Sequence, residues 1–426
     1  MGRIENVLVI APSCDGTDVG EAFVGWQWTR HIARRAHVTL LTQRRRGRTP
    51  PSAQLPGVEV VEFDELALPA RLERLNAMAK PGYPRFRRRA ERWIAAALAA
   101  GRRWDLGHQI TPIALRHASP LARFDLPYVV GPLAGSLETP PGLRRECASA
   151  PAWTRLRDLD RLRIARDPVL RRSWRRAAAV LGVAPYVGEL LADVGLQRFE
   201  TISELGIEDL APVRPRPADT GRLRLVHVGR AVRTKGLRDA VRALARLPAD
   251  LDVELDVAGF GEELEPCRSL AADLGVADRI RFHGRLPRAA VERLYEEADA
   301  FLFPSFREPS GSVVFEAMRQ GLPVITVDRG GPGEVVDASC GLRVPAEDPE
   351  QLAADLARAI TRLARDPSLH GRLARGARER MARIGLWEAK TDRLFELYES
   401  LAAPRGTGAG SLATFPHAHD PKEARA

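Results

Sequence analysis

The sequence predicts an α/β protein made of two tandem, doubly wound domains whose parallel sheets face each other across a cleft. Short apolar runs alternate with helix-length segments, which is the pattern of βαβ units. The alternation starts again after a Pro-rich stretch, Pro212–Pro217. The length of 426 residues fits two or three domains, at a prior of roughly 150 residues each.

The first half supplies the first sheet. Val7–Ala11 (VLVIA) is apolar throughout and predicts a buried parallel strand, followed by a glycine-containing loop and a helix over Phe23–Arg35. Further strands are predicted at His37–Thr42, Val58–Phe63, Asp105–His108 and Tyr128–Val130. A second, basic helix is predicted over Pro84–Trp104.

The second half repeats the pattern. Strands are predicted at Leu223–Val228, Leu251–Ala258, Ile280–His283, Ala300–Pro304 and Pro323–Val327. Helices are predicted at Leu237–Leu247, Glu262–Leu274, Ala289–Glu297 and Ser312–Arg319. We therefore expect a first domain over residues 1–211, a linker over 212–220 and a second domain over 221–385. Residues 386–402 form a last amphipathic helix, and the Gly/Ala/Pro/His-rich residues 403–426 are expected to be disordered.

Composition excludes several classes of protein. No apolar run approaches the roughly 18 residues that span a bilayer. The four cysteines lie far apart without a C-x-x-C pair, which excludes a zinc ribbon and a disulfide scaffold and fits a reducing cytoplasm. The net charge of +10 lies entirely in the first half, because residues 1–200 hold 32 Arg and Lys against 20 Asp and Glu. A basic half can bind nucleic acid, an anionic membrane or a phosphorylated substrate.

A cationic loop stands between the first strand and the first helix of the second half. It reads Gly229-Arg230-Ala-Val-Arg-Thr-Lys235-Gly236. Two cations next to a helix N-terminus make a good site for a phosphate or diphosphate. The alternative is a capping loop whose Arg and Lys are simply solvated.

A pair of glutamates eight residues apart follows a later strand. Glu308 lies in the loop, and Glu316 lies two turns inside the helix that Gly311 and Ser312 open. Glycine lets the backbone approach a ligand, and the first amides of the helix would point at a phosphate. Glu308 could accept hydrogen bonds from sugar hydroxyls and Glu316 from a ribose diol. The alternative is a helix capped by Ser310 or Ser312, with an exposed Glu316.

A glycine-rich turn, Ala258-Gly259-Phe-Gly261, follows another strand. It lacks the third glycine of the dinucleotide-binding fingerprint and is weak support for NAD. A tight turn beside the nucleotide cleft explains it equally well.

These segments together resemble the retaining, GT-B-fold glycosyltransferases of family four, also called glycosyl transferases group one. The resemblance runs from about Leu223 to Pro345. Besides the three segments above, it includes Phe282-His-Gly284-Arg-Leu, Phe303-Pro-Ser305, Gly321-Leu-Pro-Val and Gly330-Gly-Pro-Gly-Glu334. It implies two Rossmann-like domains and a C-terminal helix, here Trp387–Leu401, that crosses back to the first.

The resemblance also implies roles for single residues. Arg230 and Lys235, next to Gly229, would hold the donor diphosphate, Glu308 the donor sugar and Glu316 the ribose. The loop and helix start formed by Ser310, Gly311, Ser312 and Val313 would bind phosphate or sugar oxygens. The nucleobase would contact His283, Gly284 and Leu286. The family usually needs no metal or other cofactor, and this chain has no D-x-D after a strand to hold a metal.

Three places in the first half match the family more loosely. His108 resembles the strand-end histidine that faces the donor sugar, and an alternative structural role is open. Gly20 is the better candidate for the family's N-terminal Gly-Gly loop, which reads Gly16-Thr-Asp-Val-Gly20 here. Gly131–Ser136 would line the acceptor cleft, or form a mere turn.

We therefore expect a retaining hexosyltransferase that moves a sugar from a UDP- or GDP-linked donor to a glycan or lipid-linked acceptor in cell-envelope synthesis. A sugar-nucleotide epimerase, a non-catalytic subunit and a transferase for a soluble acceptor are the alternatives. Nucleic-acid binding is disfavoured because few aromatics lie among the arginine clusters. The basic helix, with Trp93, Ile94, Ala97 and Leu98, could dock on an anionic membrane, which would place a cytoplasmic enzyme on the inner membrane face.

Overall fold

The computed structural model describes residues 3–66, 80–147, 158–212 and 221–402. Most of the predicted linker and the predicted disordered tail lie outside these residues. Within them the chain forms two parallel sheets of seven and six strands, each with helices on its faces. This confirms the predicted α/β class and the two doubly wound units.

The first sheet has the strand order β3-β2-β1-β4-β5-β6-β7. Its strands are β1 Asn6–Ile10, β2 His37–Arg44, β3 Glu59–Asp64, β4 Leu106–Gln109, β5 Tyr128–Leu133, β6 Ala179–Gly182 and β7 Phe199–Thr201. β1 is central and buried because Val7–Ile10 are apolar and both faces are covered by helices. Two strands that were not predicted from the sequence, β6 and β7, extend the sheet beyond β5.

The second sheet has the order β10-β9-β8-β11-β12-β13. Its strands are β8 Arg222–Val228, β9 Asp252–Ala258, β10 Ile280–Gly284, β11 Ala300–Phe303, β12 Val324–Val327 and β13 Gly341–Val344. All but β13 agree with the predicted strands to within one or two residues. The reversal of strand order between β8 and β11 creates the crevice at which ligands of such sheets bind.

Fourteen helices cover the sheets in the described residues. In the first half they are α1 Glu21–Ala33, α2 Pro51–Gln54, α3 Tyr83–Ala99, α4 Asp158–Arg166, α5 Pro168–Arg176 and α6 Pro185–Leu190. In the second they are α7 Leu237–Leu244, α8 Leu264–Asp273, α9 Arg288–Glu297, α10 Ser312–Arg319, α11 Gly330–Val335, α12 Pro349–Arg365, α13 Pro367–Arg380 and α14 Trp387–Ala402.

The carboxyl ends of the two sheets face each other. Arg307, after β11, donates to the Thr139 hydroxyl at 3.1 Å. Arg329, after β12, donates to the Glu138 carbonyl at 3.1 Å. Because loops of both domains meet here, this edge forms the cleft that the sequence predicts.

Helix α14 returns to the first domain, as predicted. Trp387 packs edge-on against Trp28 of α1 and stacks on His31, with ring centroids 5.1 and 4.8 Å apart. Tyr398 is fully buried and bonds to His108 of β4. The last helix therefore completes the core of the first domain.

Residues 139–147, which we call the crossing segment, follow β5 but pack in the second domain. Leu143 lies in the same buried cluster as Leu225, Leu255 and Leu302 of the second sheet. A Cβ at Gly142 would lie 2.3 Å from the Glu347 carbonyl oxygen, so only glycine allows this close approach. Each domain thus receives part of its core from the other half of the chain.

Candidate active site

The cationic loop predicted to bind diphosphate connects β8 to α7. Lys235 forms an ion pair with Glu308, and its ammonium lies 5.7 Å from the centre of the Phe303 ring. The two charged side chains are 12% and 16% exposed. Arg230 is exposed. The fold therefore brings the predicted diphosphate cation and the predicted sugar-binding carboxylate into direct contact, although 73 residues separate them.

The third cation of this loop, Arg233, has a structural role. Its side chain is 5% exposed and forms ion pairs with Asp239 of α7 and with Glu146 of the crossing segment. Arg242 binds the other oxygen of Glu146 at 2.8 Å. Partial burial opposes ionisation of Glu146, but Arg242 and Arg233 outweigh it and lower the pKa of this carboxyl to about 2. A residue of the first half thus fixes the loop that carries Lys235.

The glycine-rich turn after β9 packs on the same loop. A Cβ at Gly259 would lie 1.7 Å from the Gly229 carbonyl oxygen, and one at Gly261 would lie 2.2 Å from that of Ala231. The Ala231 amide donates to the Phe260 carbonyl at 2.8 Å. These glycines therefore allow two backbone segments to touch, which favours the tight-turn interpretation over a dinucleotide site.

Helix α10 begins where the sequence predicts. Gly311 is its N-cap with φ of 83°, a left-handed conformation that other residues adopt only at a cost. A Cβ there would also lie 3.1 Å from the Pro332 ring and 3.3 Å from the Glu308 side chain. Ser312 is exposed and Val313 half-buried in the first turn. The first amides of α10 therefore lie next to the Lys235–Glu308 pair, in the arrangement expected for binding an anion.

Ser310 differs from the prediction. Its hydroxyl is bonded to Glu204, a residue of the first half, and its amide donates to Glu308 at 3.4 Å. Both the hydroxyl and the amide of Ser310 are therefore engaged within the protein. Sequence reasoning missed Glu204, because no motif marks it.

Glu316 is half-buried on α10, which excludes the fully exposed alternative. Its carboxylate accepts a hydrogen bond from the Tyr295 hydroxyl at 3.4 Å. Burial raises the pKa of Glu316, while Arg288 and Tyr295 oppose the rise. Tyr295 thus provides the partner that a carboxylate in this apolar helix requires.

The predicted nucleobase segment lies at the end of β10. His283 bonds to Asp256 at 2.6 Å, and Gly284 adopts a φ of 67°. The Gly284 carbonyl accepts from the Gly259 amide at 2.8 Å, which joins this segment to the glycine-rich turn. Next to it, the Arg285 guanidinium lies 3.7 Å from the centre of the exposed Phe260 ring. Leu286 is half-buried beside them.

The prediction that His108 faces the donor sugar is wrong. The side chain is fully buried, its Nε2 donates to the Gly131 carbonyl at 2.7 Å, and its Nδ1 accepts from Tyr398 of α14. Burial lowers the pKa of His108 to about 4, so the ring is neutral. With both nitrogens engaged and no exposed surface, His108 joins β4, β5 and α14 and reaches no substrate.

The other first-half candidates remain at the cleft edge. Gly20 is exposed at the N-terminus of α1, with a φ of 66° and nothing within 4 Å of a Cβ placed there. In the loop after β5, the Gly135 amide donates to the Tyr186 hydroxyl at 3.2 Å. Burial raises the pKa of Tyr186, and the nearby charge of Glu308 adds to the rise, so this loop lies near the predicted sugar site.

The basic helix α3 does not present an apolar face to a membrane. Ile94 and Ala97 are buried in the core of the first domain, and Trp93 and Leu98 pack against that core. Trp174, beside the other arginine cluster, is also fully buried. These apolar side chains therefore stabilise the fold and are not available to contact a bilayer, and docking of the basic helix on an anionic membrane stays a prediction. No helix in the described residues has the length and apolarity to span a membrane.

Among the described residues, no three His, Cys, Asp or Glu side chains gather where they could hold a metal ion. The polar groups that the fold does collect are the Lys235–Glu308 pair, the start of α10 and Glu316. Together they provide a cation, two carboxylates and a row of backbone amides along one edge of the second sheet.

Comparison with known proteins supports the resemblance. The model of a family described as "Glycosyl transferases group 1" matches residues 213–380. The chain is 32% identical over 235 residues to the lipopolysaccharide core biosynthesis glycosyltransferase LpsE of Rhizobium meliloti (strain 1021), covering 53% of this chain and 66% of that protein. It is 34% identical over 197 residues to the glycogen synthase of Mycobacterium tuberculosis (strain ATCC 25618 / H37Rv), covering 46% of each. The chain thus spans about half to two-thirds of the length of these curated relatives.

Solved structures share the whole fold. The sucrose-phosphate synthase from Thermosynechococcus elongatus has a TM-score of 0.61 at 21% identity, covering 93% of this chain and 99% of that one. Anabaena HepE in complex with UDP and glucose has a TM-score of 0.58 at 19% identity, covering 93% and 100%. At such identities the likeness concerns the fold. Residues 213–380 thus resemble the glycosyl transferases group 1, and the two facing sheets give the chain the GT-B fold of the solved structures.

Proposed function

We propose that this protein is a retaining hexosyltransferase that moves a sugar from a nucleoside diphosphate to an acceptor in polysaccharide or glycolipid synthesis. The observation that carries the proposal is the contact between Lys235 and Glu308 at the start of α10. Donor transfer needs a cation for the departing diphosphate and a carboxylate for the sugar hydroxyls in one place. The relatives, a lipopolysaccharide core biosynthesis glycosyltransferase and a glycogen synthase, support the same class of reaction.

In this proposal the diphosphate lies between the cationic loop and α10. Lys235 and the exposed Arg230 meet the negative charge that grows as the diphosphate departs, and the first amides of α10 bind the phosphate oxygens. A bound diphosphate competes with Glu308 for Lys235, which frees that carboxylate to accept hydrogen bonds from the sugar. Glu316, positioned by Tyr295, accepts from the ribose hydroxyls.

We propose front-face departure and attack as the source of retention. In this proposal Glu308 binds the sugar hydroxyls and Glu316 the ribose, which leaves no carboxylate of the described site to act as a covalent nucleophile. A phosphate oxygen of the leaving group would then take the acceptor proton. We also propose that transfer needs no metal, because fixed cations stand where the charge develops.

For the acceptor, we propose a lipid-linked or glycan substrate met at the basic first domain. Arg85, Arg88 and Arg92 are exposed on α3, while its apolar face is buried. Docking on a membrane would therefore be electrostatic alone, at about 1 kcal/mol per basic residue near an anionic surface. Flotation with anionic liposomes should show binding at low salt that falls steeply toward physiological salt. Absence of binding at low salt would favour a soluble acceptor.

The test of the activity begins with a thermal-shift screen of UDP-, GDP- and ADP-sugars. A ligand at 100 times its Kd adds about 2.7 kcal/mol of stability, so the donor should be distinguishable from the others. Transfer to acceptor lipids or glycans is then followed by mass spectrometry, and the anomeric configuration of the product by NMR. An inverted product would contradict retention, and activity that a chelator removes and magnesium restores would contradict metal independence.

Two substitutions test the site. Glu308→Ala should abolish transfer with the fold intact, and Lys235→Ala should lower kcat more than it raises the donor KM, because the charge that Lys235 meets grows in the transition state. Glu265→Ala is the matched control, since its side chain is 80% exposed on α8. Equal turnover of wild type and Glu308→Ala would refute the assignment. Epimerised donor formed without acceptor would instead indicate a sugar-nucleotide epimerase.

A further inference from the structure

A buried carboxylate of the first domain touches the loop that carries the sugar-binding glutamate. Glu204 follows β7 and is 4% exposed. Its carboxylate accepts a hydrogen bond from the hydroxyl of Ser310, two residues after Glu308. Its backbone carbonyl accepts from the Trp28 indole at 3.1 Å, which fixes it to α1. One residue therefore links α1 of the first domain to the donor loop of the second.

This link is not a simple ion pair. The second carboxylate oxygen of Glu204 is buried and has no hydrogen-bond partner among the described residues. The buried ammonium of Lys390, on α14, interacts electrostatically with the Glu204 carboxylate. Burial raises the pKa of Glu204, while Ser310 and Lys390 oppose the rise. A carboxyl group held in this way costs free energy compared with an apolar side chain. Stability alone therefore does not explain Glu204.

The surroundings of Glu204 connect it to the reaction. Burial raises the pKa of Glu204 and of Tyr186, and the nearby charge of Glu308 adds to both rises; Tyr186 in turn holds the loop after β5. The Ser310 amide also bonds to Glu308 at 3.4 Å. A shift of Ser310 would therefore move Glu308 relative to Lys235.

We propose that Glu204 is a positioning residue of the transferase: through Ser310 it holds the donor loop, and with it Glu308, in the orientation that binds the donor sugar. The inference rests on the proposed function. Glu204 touches no reacting atom in this role, and it acts through Ser310.

The test is a double-mutant cycle on the donor KM and kcat. The donor is whichever of UDP-glucose, GDP-mannose and ADP-glucose raises the wild-type Tm most. Ser310→Ala and Glu204→Ala should each raise the donor KM about tenfold, the loss expected for one charge-assisted hydrogen bond. The double variant should be no worse than Glu204→Ala, because both changes remove the same contact. Glu204→Gln should restore most of the donor affinity, since its amide oxygen still accepts from Ser310.

The matched control is Glu208→Gln, an acid on the same segment that is 47% exposed and pairs with Arg30. It should leave kcat and KM unchanged. If Glu204→Ala does not fold, Ser310→Ala and Ser310→Thr carry the test, with the threonine hydroxyl expected to rescue the KM.

Two results would overturn the inference. In an active enzyme, wild-type kinetics of Ser310→Ala, or a double variant in which the two losses multiply, would show that Ser310 and Glu204 act independently. Absence of transfer by the wild type with every nucleotide sugar would overturn the proposed function, and this inference with it.

Discussion

Replacing Glu146 with glutamine should lower the free energy of unfolding by about 2 kcal/mol at neutral pH. The change leaves Arg233, which is 5% exposed, with Asp239 as its one charged partner in the cluster. The pKa of Glu146 falls from 4.5 to about 2 on folding, which corresponds to roughly 3 kcal/mol. Because its side chain remains 23% exposed, solvent screening reduces this value to about 2 kcal/mol.

The assay is urea unfolding of wild type, Glu146→Gln and a control, Glu138→Gln, at several pH values. Glu138 lies just before the crossing segment but is 38% exposed, so its replacement should cost less than about 0.5 kcal/mol. Since the folded pKa of Glu146 is depressed, its contribution is complete above pH 4.5 and is lost as the pH falls toward 2. Equal stability of Glu146→Gln and wild type, or a difference that shrinks already between about pH 7 and 5.5, would refute the reasoning.

Three further predictions concern buried groups and the donor loop. Burial lowers the pKa of His108 and of His227 from 6.5 to about 4. As the pH falls, the unfolded chain therefore takes up protons before the folded one. Urea unfolding should show that the free energy of unfolding falls by about 2 kcal/mol per histidine between pH 7 and 5. Burial lowers the pKa of Lys390 from 10.5 to about 7; Lys390→Met should therefore raise the Tm at pH 7. The gain should shrink toward pH 10, because the lysine of the unfolded wild-type chain then loses the proton that favours unfolding. Gly311→Ala should cost about 1–2 kcal/mol of stability, because alanine is strained at its positive φ, and should reduce transfer by displacing Glu308; unchanged activity would contradict the close packing.

In the second domain, strands β8–β12 and helix α10 could be predicted to within one or two residues because their signals are local, whereas helices α11–α13 were not predicted. Helix α10 spans Ser312–Arg319 as predicted, since Gly311 ends the loop and an apolar run follows. The pairing of Lys235 with Glu308 follows from the rule that parallel strands bring their carboxyl ends to one edge. Strands β6, β7 and β13 were missed, because a run of three or four residues shows no period and does not by itself distinguish a strand from a helix or loop.

Features that depend on contacts between residues far apart in the sequence could not be predicted from it. A histidine at the end of a strand has the same local pattern whether it faces substrate or core, and His108 is buried by Tyr398, 290 residues later. Glu146 and Arg233 lie 87 residues apart, in different halves of the chain, and no periodicity joins them. The apolar side of α3 predicts a buried face and a membrane-binding face equally well, and only the packing of Ile94 decides between them.

The exchange of segments between the two halves has a consequence for how the chain folds during synthesis. Domains usually fold as units, the N-terminal one first, while the ribosome is still adding residues. Here the core of the first domain includes Trp387, Leu394 and Tyr398, which are made after the whole second domain. The core of the second domain includes Leu143, which is synthesised long before that domain and stays without its packing partners until the domain has been made. The core of the first domain can therefore close only after the last helix has left the ribosome, and the nascent first domain exposes the apolar surface around Trp28 for most of translation.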